Sequence, residues 1–148
     1  MKFLFRSDRI RQTLCAVLLL LAARYAAAET VVIVNAHSRV DELTREQVVN
    51  IFMGRYRKLP DGTIAAPLDS STDSPERRDF YQKLLNKSLA EINAYWARLT
   101  FSGRTQPPEV LDTPQAVAAE VGRSAHAVGY IDRRYLTHQV KVVYVLPE

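Results

Sequence analysis

Apolar residues along the chain form short β-branched runs that alternate with segments of helical spacing. Residues 30–35 (TVVIVN) are mostly β-branched and are followed by polar residues, which predicts a buried first strand rather than a helix. Further strands are predicted at residues 63–68 and near residues 127–131, and a last apolar run covers residues 140–146. The alternation predicts an α/β fold in which helices cover both faces of the sheet, and it is compatible with mixed strand directions.

Four segments of helical periodicity have recognisable starts. Each has Ser or Thr at the predicted N-cap position, namely Thr44, Ser74, Ser88 and Thr113. Gln47 and Glu91 stand three residues after two of these caps and complete capping boxes. The first helix is expected to end at Gly54, the second near Asn86 and the fourth near Gly122.

The predicted helices also indicate a core. The second helix directs three apolar residues inward, which are Phe80, Leu84 and Leu85. The third has an apolar stripe made of Ile92, Tyr95, Trp96 and Leu99. Because this stripe defines a buried face, Trp96 is interpreted as a core residue rather than a ligand-stacking one. Residues 101–108 contain Gly103 and paired prolines, which predicts a surface loop.

The first 28 residues have the pattern of a secretory signal peptide. Basic residues precede an apolar run at residues 14–23, and Ala26 and Ala28 provide small residues before Glu29. Such a run spans about 15 Å as a helix against roughly 30 Å of hydrocarbon, so an uncleaved membrane anchor is the weaker alternative. We expect cleavage after Ala28, a single mature domain of residues 29–148 in the periplasm, and no stable membrane insertion.

The positive net charge belongs to this leader. Five of the 20 Lys and Arg residues and one of the 16 Asp and Glu residues lie in the first 28 positions, so the remaining chain carries 15 of each. A neutral mature chain lacks the basic surface that nucleic-acid binding requires. The only cysteine, Cys15, also lies in the leader, so the mature chain has no disulfide and depends on its core for stability.

The sequence has none of the common catalytic or metal-binding motifs. G-x-S-x-G, H-E-x-x-H and G-x-x-x-x-G-K-[ST] are absent. The three histidines, His37, His126 and His138, lack the spacing of metal ligands. A catalytic triad of serine, histidine and acid could be chosen as Ser71, His37 and Asp132. Any chain with this many serines permits such a choice. We therefore expect a non-enzymatic protein without a metal or cofactor.

A cluster of small polar residues precedes the second helix. Ser71, Thr72 and Ser74 lie where backbone N–H groups and hydroxyls at a helix start can together bind an anion. Arg77 and Arg78 follow in the first turn, where the helix dipole disfavours a cation by about 0.3–1 kcal/mol unless an anion is nearby. These five residues form the candidate anion-binding site.

The same cluster also fits an ordinary helix start. In that interpretation Ser74 is only an N-cap and both arginines are solvated. Asp69 and Asp73 would also repel an anion at close range. The residues by themselves leave both interpretations open.

Residues 55–58 (RYRK) form a basic cluster after the first helix. Its tyrosine, Tyr56, suggests contact with nucleic acid or anionic lipid as one interpretation. A solvated loop that follows a helix has the same composition, and we favour it.

Several segments occur in an order typical of one protein family. They are I-F-x-G at residues 51–54, LPDGT at 59–63, RDF at 78–80, YW at 95–96, FSGR at 101–104, PP at 107–108 and A-x-G-Y-I at 127–131. In this order the chain resembles the periplasmic substrate-binding proteins of phosphate ABC transporters. The resemblance covers residues 31–135, nearly the whole mature chain.

The resemblance implies a single periplasmic-binding-protein-like lobe, with a mixed β-sheet flanked by helices. In full-length members two lobes close over phosphate, which is held partly by an Arg-x-Asp-Gly-Ser-Gly-Thr-like segment at a helix start. Residues 69–80 occupy that stretch here, with Ser71, Thr72 and Ser74 as the nearest equivalents, although the Ser-Gly-Thr run is absent. The implied ligand is phosphate or another small oxyanion, bound weakly by one lobe.

Two kinds of partner follow from this resemblance. Micromolar affinity would need a second lobe, which a homodimer mate or another envelope protein could supply. The alternative is a ligand-free module of the cell envelope, for protein interaction or sensing, that docks through the former cleft face.

Overall fold

The computed structural model describes residues 29–148, and the predicted signal peptide lies outside them. These residues form five strands and four α-helices. The strands are β1 (Thr30–Asn35), β2 (Ala66–Ser70), β3 (Glu109–Leu111), β4 (Ala127–Asp132) and β5 (Val140–Val145). The helices are α1 (Arg45–Phe52), α2 (Pro75–Leu85), α3 (Leu89–Phe101) and α4 (Pro114–Arg123), and a 3-10 turn at Arg133–Tyr135 follows β4. No helix in residues 29–148 is both long and apolar enough to cross a membrane.

All five strands belong to one mixed sheet with the order β3-β2-β4-β1-β5. β2 is parallel to β3 and β4, whereas β1 is antiparallel to both β4 and β5. The carboxyl ends of β2 and β4 therefore lie at the same edge of the sheet as the amino end of β1. This confirms the α/β fold with a mixed sheet.

Helices cover both faces of the sheet, as the sequence predicts. Residues of β1 alternate between the faces: Val32 and Val34 pack under α1, α2 and α3, and Val31 and Ile33 pack under α4. The first face holds an aromatic cluster in which Phe80 stacks on the ring of Tyr130, with ring centroids 3.8 Å apart. Trp96 is 5 % exposed and belongs to this core, which confirms its predicted structural role.

The predicted helix caps are confirmed. Thr44 with Gln47 and Ser88 with Glu91 form the two capping boxes. Ser74 and Thr113 cap the other two helices, which begin at prolines as predicted. At the helix ends, Gly54 and Asn86 adopt the expected left-handed conformation, with φ of 66° and 54°.

Some boundaries differ from the prediction, and one short strand was not predicted. The second strand covers Ala66–Ser70 rather than residues 63–68, because the chain before it turns tightly and pairs Lys58 with Ile64 in an isolated bridge. Helix α3 continues through Phe101, so the loop begins one residue later. The short strand β3 was not predicted, since three residues are too few to show a periodic pattern and it pairs only with β2. Leu85, Tyr95 and Leu99 are only partly buried.

Candidate functional site

The candidate anion-binding residues lie in the loop from β2 to α2, at the carboxyl end of a central strand. The loop is a tight turn, closed by a 2.9 Å hydrogen bond from the Ser74 N–H to the Ser71 carbonyl oxygen. The Ser74 hydroxyl then accepts a 3.2 Å hydrogen bond from the Arg77 N–H, as an N-cap should. The strand end and the helix start thus fix the loop from both sides.

A buried carboxylate anchors this loop from below. Asp69 is 1 % exposed, and its carboxylate accepts four hydrogen bonds. Oδ1 accepts from the Ser70 N–H at 2.9 Å and from the Tyr130 hydroxyl. Oδ2 accepts from Arg77 Nε at 2.9 Å and from the Tyr81 hydroxyl at 3.0 Å. The charge of Asp69 is therefore fully engaged within the protein.

Arg77 connects this carboxylate to the loop and to α3. Its Nη1 donates to the Thr72 carbonyl oxygen at 3.1 Å and to Asn93 Oδ1 at 3.0 Å. Burial lowers the pKa of Arg77, but the charge of Asp69 and the hydrogen bond to it outweigh burial, so the pKa is raised and the guanidinium stays charged. The alternative in which both arginines are solvated is wrong for Arg77, which is 5 % exposed.

Two tyrosines complete the network as proton donors. Burial, followed by the nearby negative charge of Asp69, raises the pKa of Tyr81 well above its ordinary value. The same two causes, in the same order, raise the pKa of Tyr130. Both phenols therefore keep their protons and donate to the carboxylate, which leaves Arg77 to balance its charge.

The five candidate residues divide into two groups. Ser71, Thr72 and Ser74 lie together at the start of α2, and Arg78 is exposed in its first turn. The Arg77 guanidinium instead points into the core, so this residue shapes the loop from beneath. Ser71 Oγ also donates a long hydrogen bond, 3.4 Å, to Asp112 Oδ1.

The backbone at the helix start offers one clear donor. Pro75 has no N–H, and the N–H of Arg77 is bound to Ser74. Glu76 follows Pro75, and its N–H is one of the first-turn groups that have no partner within the helix. The loop hydroxyls, this N–H and the exposed Arg78 side chain are the groups that can face an anion. The repulsion expected from Asp69 is offset, because Arg77 neutralises its charge at 2.9 Å.

Sequence reasoning missed the network itself. The informative signal was an aspartate directly after buried apolar residues, since a buried carboxylate needs a positive partner nearby. Its partners, Tyr81 and Tyr130, come from α2 and β4, and no local pattern connects them to Asp69.

Comparison with known proteins shows the fold and leaves the family open. No family model and no curated protein matches this chain. Among solved structures, it is similar to an ABC-type phosphate transport receptor from Vibrio cholerae, with 19 % identity and a TM-score of 0.62. The match covers 78 % of this chain and 45 % of the receptor. The fold is that of one lobe of such a receptor.

Two further solved structures show the same partial match to this chain. A putative phosphate ABC transporter substrate-binding protein from Clostridium perfringens, solved with bound phosphate, has 18 % identity and a TM-score of 0.62 over 78 % of this chain and 44 % of its own. PstS from Borrelia burgdorferi has 13 % identity and a TM-score of 0.58 over 78 % of this chain and 46 % of its own. The chain thus spans less than half the length of each of these three proteins. The resemblance to phosphate-binding proteins noted in the sequence is confirmed at the level of the fold.

Proposed function

We propose that this protein is a non-enzymatic, periplasmic lobe of the binding-protein type that holds phosphate or another small oxyanion weakly at the start of α2. The observation that supports the proposal is the Asp69–Arg77 network, which holds the loop of Ser71, Thr72 and Ser74 in place from beneath. A rigid loop can present donors to an anion without the entropic cost of ordering them. The bound phosphate of the Clostridium perfringens relative adds support by fold analogy.

The expected affinity follows from the openness of a single lobe. A bound anion stays in contact with water, so each hydrogen bond to it adds only about 0.5–1.5 kcal/mol. Three or four such bonds give roughly 2–6 kcal/mol before the cost of association, which corresponds to a dissociation constant near or above about 1 mM. Micromolar affinity needs a second lobe, from a dimer mate or from another envelope protein.

The test is titration of the purified monomer with inorganic phosphate and with sulfate, followed by phosphorus NMR and calorimetry. Ser74→Ala and Arg78→Ala should each weaken phosphate binding, and added salt should weaken it further. Ser74→Ala also removes a helix cap, so Ser88→Ala, which removes the equivalent cap of α3, is the matched control. Arg123→Ala, in α4, is the control for the loss of a surface charge.

Two results would contradict the proposal. If Ser74→Ala and Ser88→Ala change phosphate binding equally, the site is not at the start of α2. A micromolar isotherm from a proven monomer, insensitive to salt, would refute the open-lobe argument and imply that the loop closes over the anion.

A further inference from the structure

A groove crosses the surface where the end of α1, the turn from α2 to α3 and one side of α3 meet. Its volume is about 440 Å³. Its apolar lining includes Met53, Leu85, Ile92 and Tyr95, and its charged lining includes Arg55, Lys87 and Arg98. The Tyr95 hydroxyl donates a 2.7 Å hydrogen bond to the Met53 carbonyl oxygen, which fixes the ring that the groove is built on. The groove is therefore a concave surface with an apolar base, and the position of its Tyr95 ring is fixed by this hydrogen bond.

A second groove of about 380 Å³ continues from the first along α3. It shares Tyr95 and Arg98 with the first groove and adds Arg104. Phe101 lies at the end of the same helix and is 96 % exposed, the most exposed large apolar side chain in residues 29–148. The two neighbouring grooves combine apolar residues with arginines along one side of α3, and we call this surface the α3 channel.

The charge of the α3 channel is unbalanced. Its acidic residue, Glu91, already forms a 3.0 Å ion pair with Lys87. Within residues 29–148, no ion pair involves Arg55, Arg98 or Arg104. A chain that is neutral over its mature length thus concentrates three unpaired guanidinium groups around one apolar channel. Such a surface is complementary to an acidic partner.

We propose that the α3 channel docks an acidic segment of a partner protein, with an apolar side chain of that segment in the groove. A concave apolar base flanked by arginines suits a peptide, which can insert one side chain and place carboxylates on both sides. A lipid surface is less suitable, because most of the apolar residues lie inside the groove and only Phe101 projects. None of these residues belongs to the candidate anion site, so the proposal does not depend on phosphate binding.

The experiment measures binding of short fluorescein-labelled peptides by anisotropy. Each peptide carries Leu, Phe or Trp between flanking glutamates, and a matched set has lysines in place of the glutamates. The acidic set should bind and the lysine set should not. Arg98→Glu should weaken binding of the acidic set about tenfold, because Arg98 lines both grooves. Arg123→Glu, which reverses an exposed charge on α4, should leave it within about twofold.

Several outcomes would overturn the proposal. The first is failure of every acidic peptide to bind, and the second is binding that Arg98→Glu leaves unchanged in a variant whose melting temperature matches the wild type. A third is binding to phosphatidylglycerol vesicles that depends on Arg98 while the peptides do not bind, which would make lipid the occupant. Inorganic phosphate at constant ionic strength should not compete with the peptides, and this separates the proposal from phosphate binding at the start of α2.

Discussion

At the scale of single residues, Asp69 has the most demanding environment in the described part of the chain. Removing a carboxylate from water costs several kcal/mol, and interactions with its partners must offset this desolvation cost. For Asp69, one ion pair with Arg77 and three further hydrogen bonds offset this cost. The same contacts hold the candidate loop, so stability and loop geometry depend on one group.

Asp69→Asn should be strongly destabilising. The substitution keeps the shape of the side chain but leaves Arg77 buried without a counter-charge, and breaking a buried pair in this way costs about 3–5 kcal/mol. Urea unfolding followed by circular dichroism measures the change. Asp41→Asn is the control, since it removes an ion pair with Lys141 in which the Asp41 side chain is 90 % exposed, and it should change little. Equal stabilities of the two variants would show that the network contributes nothing.

The two buried tyrosines predict a loss of stability in alkaline solution. Burial and the charge of Asp69 raise the pKa of Tyr81 and of Tyr130 in the folded state. Above about pH 10 the unfolded chain therefore binds fewer protons than the folded one, so the free energy of unfolding falls as the pH rises. The stabilising effect is fully present below that pH.

Unfolding free energies measured between pH 8 and pH 11 check this expectation. Tyr81→Phe should flatten the alkaline decline, because one of the two shifted phenols is gone. Tyr56→Phe, at a tyrosine that is 61 % exposed, is the matched control for the loss of a phenol. A wild-type curve that stays level up to pH 11 would argue against the raised pKa values.

At the scale of elements, the close approach of α4 to the sheet is decided by one glycine. A β-carbon built on Gly129 of β4 would lie 2.5 Å from Val117 Cγ1 and 3.3 Å from Val121 Cγ2. Both valines are fully buried on that face of the sheet. The helix can sit this close because position 129 has no side chain.

Gly129→Ala should therefore destabilise the fold by about 1–3 kcal/mol through overpacking. Val117→Ala removes the atom that the new methyl group would meet, so the double variant should be more stable than the sum of the two single effects predicts. Chemical denaturation of the four proteins of this cycle gives the coupling free energy. Strict additivity would mean that α4 does not approach β4 as closely as described.

At the scale of the whole molecule, the first described residues are tied to a segment about a hundred positions further along the chain. β1 starts at Thr30, and Glu29 already contacts the 3-10 turn through an ion pair with Arg133. The Glu29 carbonyl oxygen also accepts a 2.9 Å hydrogen bond from the Arg133 N–H. Glu29 and Thr30 are thus held in place by contacts with the end of β4 and the turn that follows it.

The exported protein should begin at Glu29. Small residues at Ala26 and Ala28 match the signal-peptidase pattern. Intact mass spectrometry of protein recovered from the periplasmic fraction measures the start directly. A mass that includes residues 1–28 would exclude cleavage, and Ala28→Leu, which places a large residue at the expected site, should block processing.

The sequence alone determined the features that depend on neighbouring residues. Helix starts at Thr44, Ser74, Ser88 and Thr113 could be predicted because an N-cap bonds to a residue only two or three positions away. The buried strand β1 could be predicted because a β-branched run has no other suitable structure at that length. The small polar residues before α2 were recognisable as a potential anion site for the same local reason.

Only the tertiary structure decided the features that depend on distant residues. The order of the strands in the sheet joins β1 to β4 and β5, about a hundred residues further along the chain. The position of Asp69 inside β2, rather than in the loop, requires Arg77, Tyr81 and Tyr130 from two other elements. Burial of a charge is favourable only once all its partners are in place, and no local sequence pattern contains them. The inward direction of the Arg77 guanidinium follows from the same cause.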